Sequence, residues 1–163
     1  MMDVHIKKAD FGDQAILKNM YAFYLHDLSR YTNALDINDD GTYEFDAFGL
    51  IWEKEGVKPY FIIADGRLAG FFLLLRTPFL EKADYCVNDL FIYNAFRRKK
   101  AAESAIKLLF NGFKGTYYIE QLKQNDPAIR FWKKIYQDYQ LDFKEITRTE
   151  DGEECLGQFF NVE

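Results

Sequence analysis

The 163-residue chain is poor in the residues that build stapled or metal-held folds: it has only two cysteines and two histidines. Cys86 and Cys155 stand alone, so neither a disulfide framework nor a cysteine zinc site is expected. His5 and His26 lie far apart in sequence, and no metal centre is expected. No apolar run is long enough to cross a bilayer, so no membrane association is expected. The start, MMDVHIKKAD, lacks the apolar centre of a secretory leader. Together these features predict a cytoplasmic protein with reduced thiols. Acidic residues outnumber basic ones, 26 to 21, and the net charge of −5 argues against a nucleic-acid partner and is compatible with a cationic substrate. No linker, repeat or low-complexity stretch divides residues 1–163, so a single domain is predicted.

Apolar residues are abundant at 48%, enough for a real core, and aromatics reach 18%, more than one small core holds. Some aromatics are therefore expected to line a cleft. The stretch DINDDGTYEFDA, residues 36–47, resembles the start of a calcium loop, with Asp36, Asn38, Asp40 and Gly41 in place. Its twelfth position is Ala47, which has no oxygen to offer a cation, so the stretch reads as a surface turn.

The periodicity predicts the order β-α-α-β-β-β-α-β-α-β-β. Asp65-Gly66 and Asp151-Gly152 mark two tight hairpin turns between apolar runs. Asn125 or Asp126, followed by Pro127, predicts a capped helix start. Paired strands mixed with crossover helices argue for a mixed-sheet α/β layer fold.

The informative segment is NDLFIYNAFRRKKAAESAIKLL, residues 88–109. A strand is expected to end near Ile92, and a helix to open with Arg97, Arg98, Lys99 and Lys100. Four cations at a helix start oppose the helix dipole, whereas an anion bound there would offset that penalty. A basic cluster so placed in an acidic chain points to a phosphate ligand.

This segment resembles the acetyl-coenzyme A site of the GNAT acyltransferase superfamily. Asp89, Leu90 and Ile92 match the strand part of that pattern. Arg97-Arg98-Lys99-Lys100-Ala101-Ala102 matches its Arg/Gln-x-x-Gly-x-Gly/Ala turn, with Lys100 where the family has its first glycine. Asn125, Ala128, Phe131 and Trp132 resemble the second signature, with Trp132 where the family often has a tyrosine. The resemblance implies a GNAT-like fold: a mostly antiparallel central sheet of about seven strands flanked by four helices.

It also implies an N-acetyltransferase that moves an acetyl group from acetyl-coenzyme A to an amine by direct attack in a ternary complex. A small-molecule or peptide amine would be the acceptor. A non-catalytic coenzyme A-binding sensor or interaction module is the alternative, and the family's habit makes a homodimer an expectation. By this resemblance, backbone groups from Phe91 to Tyr93 hold the pantetheine arm, and the amide of Ile92 serves as oxyanion donor. Arg97, Arg98, Lys99, Lys100, Ala101 and Ala102 cradle the pyrophosphate, and Asn125 and Trp132 border the coenzyme. Asp89 and Glu120 are candidate general bases, with Tyr136 and Tyr139 as candidate acids. On the first two helices and the loop between them, Tyr21, Tyr24, Tyr31, Tyr43, Phe45 and Trp52 are expected to wall the acceptor pocket. Glu44 or Asp46 is expected to meet a cationic acceptor there.

Overall fold

Both Asp-Gly turns take the left-handed conformation that tight hairpins require, with φ of 50° and 76° at Asp65 and Gly66 and 51° and 79° at Asp151 and Gly152. The computed structural model describes residues 2–163. The first turn joins β2 (Val57–Ala64) to β3 (Arg67–Arg76), and the second joins β6 (Lys144–Glu150) to β7 (Glu153–Val162). With β1 (Val4–Lys8), β4 (Tyr85–Ile92) and β5 (Gly115–Leu122), they form one seven-stranded sheet in the order β1-β2-β3-β4-β5-β7-β6. All pairs are antiparallel except β4 with β5.

Four helices flank the sheet among the described residues: α1 (Gln14–Leu28), α2 (Leu50–Glu53), α3 (Ala101–Gly112) and α4 (Asp126–Asp138). Two apolar clusters form, divided by strand alternation. One joins Ile62, Phe72, Val87 and Ile119 to Ile106 of α3 and Ile135 of α4. The other joins Phe71, Leu73, Phe91 and Tyr118 to Leu17 and Tyr21 of α1. Side chains of one strand point alternately to opposite faces, so each strand feeds both clusters.

The expected element order holds, with two local differences. The second helix is a single four-residue turn, Leu50–Glu53, preceded by a short 3-10 segment, Asp46–Gly49. The third helix starts at Ala101, so the four cations precede it rather than open it. Positive φ at Arg98 (61°) and Lys100 (63°) is incompatible with a right-handed helix.

The acidic stretch 36–47 is a turn, closed by the bridge Ile37–Tyr43 and by Asn38 N–H donating to the Thr42 carbonyl at 2.7 Å. Asp40 Oδ1 accepts both the N–H and the hydroxyl of Thr42, so that oxygen is used within the turn. No cluster of potential metal-ligating side chains occurs among the described residues. No described helix is long and apolar enough to cross a membrane.

Candidate functional site

Strands β4 and β5 are in register only at Tyr85–Tyr117 and then part. On β4, Leu73 faces Asp89 and Leu74 faces Val87, which leaves Asn88 as a bulge at the start of the gap. Beyond the bulge, Tyr93 N–H donates to the Ala69 carbonyl of β3 at 2.8 Å. Backbone polarity alternates along a strand, so the N–H and carbonyl of Ile92 turn the other way, toward β5. The gap widens into a cavity of about 690 Å³ that reaches from α1 to α3 and α4.

One end of this cavity is basic. Arg97, Arg98, Lys100 and the first residues of α3, Ala101 to Glu103, line it. The first N–H groups of a helix have no partner within it, so this end presents both backbone donors and the positive end of the dipole. Lys100 takes the left-handed backbone that glycine provides most cheaply. The loop is therefore shaped as a glycine would shape it, with an ammonium added.

Arg97 is placed differently from its neighbours. Its Nε donates to the Ile92 carbonyl at 2.7 Å and its guanidinium pairs with Asp27 at 2.6 Å. It ties the end of α1 to the end of β4 and lies over the Phe91 ring. Lys99 and Tyr93 stand outside the lining, whereas Phe91, Ile92, Asn125 and Trp132 belong to it. Asn125 caps α4, its side chain accepting the Ala128 N–H at 3.2 Å.

The two candidate bases differ sharply. Asp89 accepts the Tyr21 hydroxyl at 2.7 Å and the Tyr24 hydroxyl at 3.0 Å. Burial raises its pKa above the ordinary carboxylate range, and these hydrogen bonds, with a third from Asn88, only partly counter that. Both tyrosines are in turn held well above their usual range, by burial first and by the Asp89 charge second. Glu120 also feels burial, but it receives Arg148 Nε at 2.9 Å and Nη2 at 2.7 Å, and the Tyr118 hydroxyl as well. The pairing outweighs the burial, and its pKa is lowered.

The candidate acids lie elsewhere. Tyr136 is fully buried and donates to Gln158 Oε1 at 2.8 Å, and neither it nor Tyr139 lines the cavity. Of the expected aromatic walls, Tyr24 and Tyr31 line it. Tyr21, Phe45 and Phe48 pack against one another beneath, and Phe48 meets Trp52 edge-on. Tyr43 is held by His26 instead. Glu44 and Asp46 do not reach the cavity. The acidic wall comes from Glu150, Asp151 and Glu153 at the β6–β7 turn, together with Asp27. Thr32 donates to Glu153 at 2.6 Å and joins the α1–α2 connection to that turn. These contacts span up to 121 residues of sequence, and no local pattern marks them.

A sequence profile described as the Acetyltransferase (GNAT) family matches residues 20–136. The chain belongs to the GNAT acetyltransferase family. That family's enzymes transfer acyl groups, and the two segments that suggested it, 88–109 and 119–136, lie inside the match. No curated protein matches the sequence.

Solved structures agree on the fold. A GNAT-family acetyltransferase from Streptococcus agalactiae superposes with a TM-score of 0.68 at 14% identity, covering 98% of this chain and 96% of that one. The ribosomal-protein-S18-alanine N-acetyltransferase of Escherichia coli gives 0.60 at 14%, covering 99% and 95%. A Salmonella typhimurium protein of the acetyltransferase class, solved with its cofactor acetyl-coenzyme A, gives 0.60 at 14%, covering 98% and 94%. At these identities the likeness is one of fold.

Proposed function

We propose that this GNAT protein transfers an acetyl group from acetyl-coenzyme A to an amine. The observation that carries the reading is the β4–β5 gap, which is lined both by a basic helix start and by the half-buried Asp89 carboxylate with its raised pKa. The chain's residues fit the donor: the left-handed loop at Arg98 and Lys100 leads into unpaired N–H groups of α3, inside a cavity of about 690 Å³. When bound, the donor supplies the activated thioester carbonyl.

The protein's part is to position, deprotonate and stabilise. The N–H groups of Ala101 and Ala102, with Arg98 and Lys100, hold the diphosphate. The Ile92 N–H faces the gap, where it donates to the carbonyl oxygen as negative charge builds there. An alkylamine of pKa about 10.4 is mostly protonated at pH 7, and freeing it costs about 4.6 kcal/mol. Asp89 takes that proton, directly or through one water, before the amine attacks and passes it to solvent, and the second proton, shed by the nitrogen once the N–C bond has formed, leaves by the same route. The raised pKa of Asp89 brings it closer to working pH than an ordinary aspartate.

The C–S bond then breaks. A thiol of pKa about 8.5 departs as thiolate without a protein acid, which suits the presence of Trp132 rather than a tyrosine. Asp151 and Glu153, the members of the acidic wall that no cation pairs among the described residues, favour a cationic acceptor, whereas Asp27 and Glu150 are paired with Arg97 and Arg148. Glu120, paired with Arg148, shapes the gap and is not the base.

Calorimetric titration with acetyl-coenzyme A and coenzyme A, followed by thiol release with a panel of amines, tests this reading. Micromolar donor binding and amine-dependent thiol release are expected. Absent donor binding would overturn it, and binding without turnover would favour a coenzyme-binding module.

A further inference from the structure

A second, smaller cavity of about 220 Å³ abuts the same gap. Val87, Asn88 and Glu120 border both cavities, so the small one meets the large one at the β4 bulge. Its floor is apolar, formed by Leu75, Leu80 and Cys86, with Phe79 partly exposed at 44%. Two cations, Lys82 and Arg148, line it against a single carboxylate, Glu120, in a chain whose net charge is −5.

The two cations are not equivalent. Arg148 is occupied by Glu120 and also by Glu150 at 2.5 Å. Lys82 has no carboxylate within 4.0 Å among the described residues. Its ammonium lies 4.1 Å from the centroid of the Tyr118 ring, which places the unneutralised charge against this cavity. The Cys86 thiol, pushed up to about 12 by burial, supplies no competing anion.

An apolar lining, an exposed cation with no ion-pair partner among the described residues and a shared border with the gap fit a carboxylate on an apolar stem. We infer that the amine acceptor is an amino carboxylate: its amine sits at the gap beside Asp89 and its carboxylate pairs with Lys82 in the small cavity. This rests on the transferase reading for the amine end, whereas the carboxylate end stands on the second cavity itself.

The test separates the two. Isotope-labelled protein is titrated by NMR with 3-phenylpropionate and with the uncharged 3-phenylpropanamide, and acetyl-coenzyme A binding is measured on the same preparation. The acid is expected to shift the amides of Lys82, Asn88 and Tyr118 and to bind about fivefold or more tighter than the amide, a modest ratio for a partly exposed pair. Lys82→Glu is expected to abolish that preference and Lys82→Arg to restore it, with donor binding unchanged in both. Equal binding of acid and amide, no shifts at these residues, or a preference that survives Lys82→Glu would overturn the inference even where donor binding succeeds. Carboxylate binding without donor binding would leave the small cavity standing and overturn the placing of an acceptor in it.

Discussion

Tyr21 donates its hydroxyl to Asp89 at 2.7 Å, joining α1 to the cofactor-side strand across 68 residues of sequence. With Tyr24 it holds a half-buried carboxylate whose charge its surroundings disfavour. Such a residue trades stability for reactivity. Asp89→Asn is expected to lower kcat by about 10²–10⁴-fold, the usual contribution of a positioned base, with donor affinity unchanged. Steady-state kinetics with calorimetry checks this, and a kcat within about threefold of wild type would remove Asp89 from the mechanism.

The same carboxylate makes a pH prediction. Its folded pKa is raised, so folding takes up a proton near this site. The associated stability is fully present below the unfolded value of about 3.9 and is lost as pH rises through the folded value. Asp89→Asn lacks this dependence. The melting temperature of the variant relative to wild type should therefore increase from about pH 4 upward. A difference that is flat with pH would mean that the carboxylate is not held in a disfavoured charge state.

Glu120 should behave oppositely. Its pKa is lowered, with the Arg148 guanidinium outweighing burial, so its stability contribution is present above the unfolded value of about 4.3 and is lost as pH falls through the folded value. Glu120→Gln is expected to cost about 1–2 kcal/mol at pH 7, since it replaces a bidentate charged acceptor of Arg148 by a neutral one and leaves only Glu150 as its counter-charge, and to change kcat by no more than about threefold. Thermal melts at pH 7 and pH 3 beside kinetics check it. A kcat loss as large as that of Asp89→Asn would make Glu120 a second catalytic carboxylate.

These two residues show what the sequence could and could not carry. The element order and both Asp-Gly hairpins were legible because they rest on local rules, turn chemistry and periodicity. Asp89 and Glu120 looked alike as strand carboxylates. What separates them is Tyr21 and Tyr24 for one and Arg148 for the other, partners set by tertiary packing. The acidic lining of the cavity was not legible for the same reason. Glu44 and Asp46 are near the right helices in sequence, but the register of the β6–β7 hairpin brings Glu150 to Glu153 to the cavity instead. Arg97 matched the phosphate turn, yet its guanidinium is drawn to Asp27 and the Ile92 carbonyl.

Lys100 pays for a backbone that glycine adopts freely, at φ 63°. Relief of left-handed strain is partly offset by the greater freedom glycine gains in the unfolded chain, so Lys100→Gly is expected to stabilise by about 0.5–1 kcal/mol. The loop already has the glycine-like shape, so acetyl-coenzyme A should still bind, about three- to tenfold more weakly for the loss of one ammonium near the phosphates. Denaturant melts and calorimetry check both halves. Binding gained only in the variant would mean that the Lys100 side chain obstructs the phosphate site.

Gly157 of β7 faces Glu120 of β5, and a Cβ built on it would lie 2.7 Å from Tyr118 Cε1 and closer still to the hydroxyl. The aromatic ring occupies the space that any other residue would fill. Its hydroxyl reaches Glu120 only by crossing that space, and its face carries Lys82 at 4.1 Å. Gly157→Ala must therefore displace Tyr118, at a cost of about 1–3 kcal/mol for overpacking a buried site. The displacement would release Glu120 from one of its two donors and move the ammonium of Lys82 away from the small cavity. Melting temperature should fall, and the preference for 3-phenylpropionate over its amide should fall with it, while acetyl-coenzyme A binding on the α3 side stays as it was. A variant as stable as wild type, with the preference intact, would mean that Tyr118 has a second resting place and that its ring does not position Lys82.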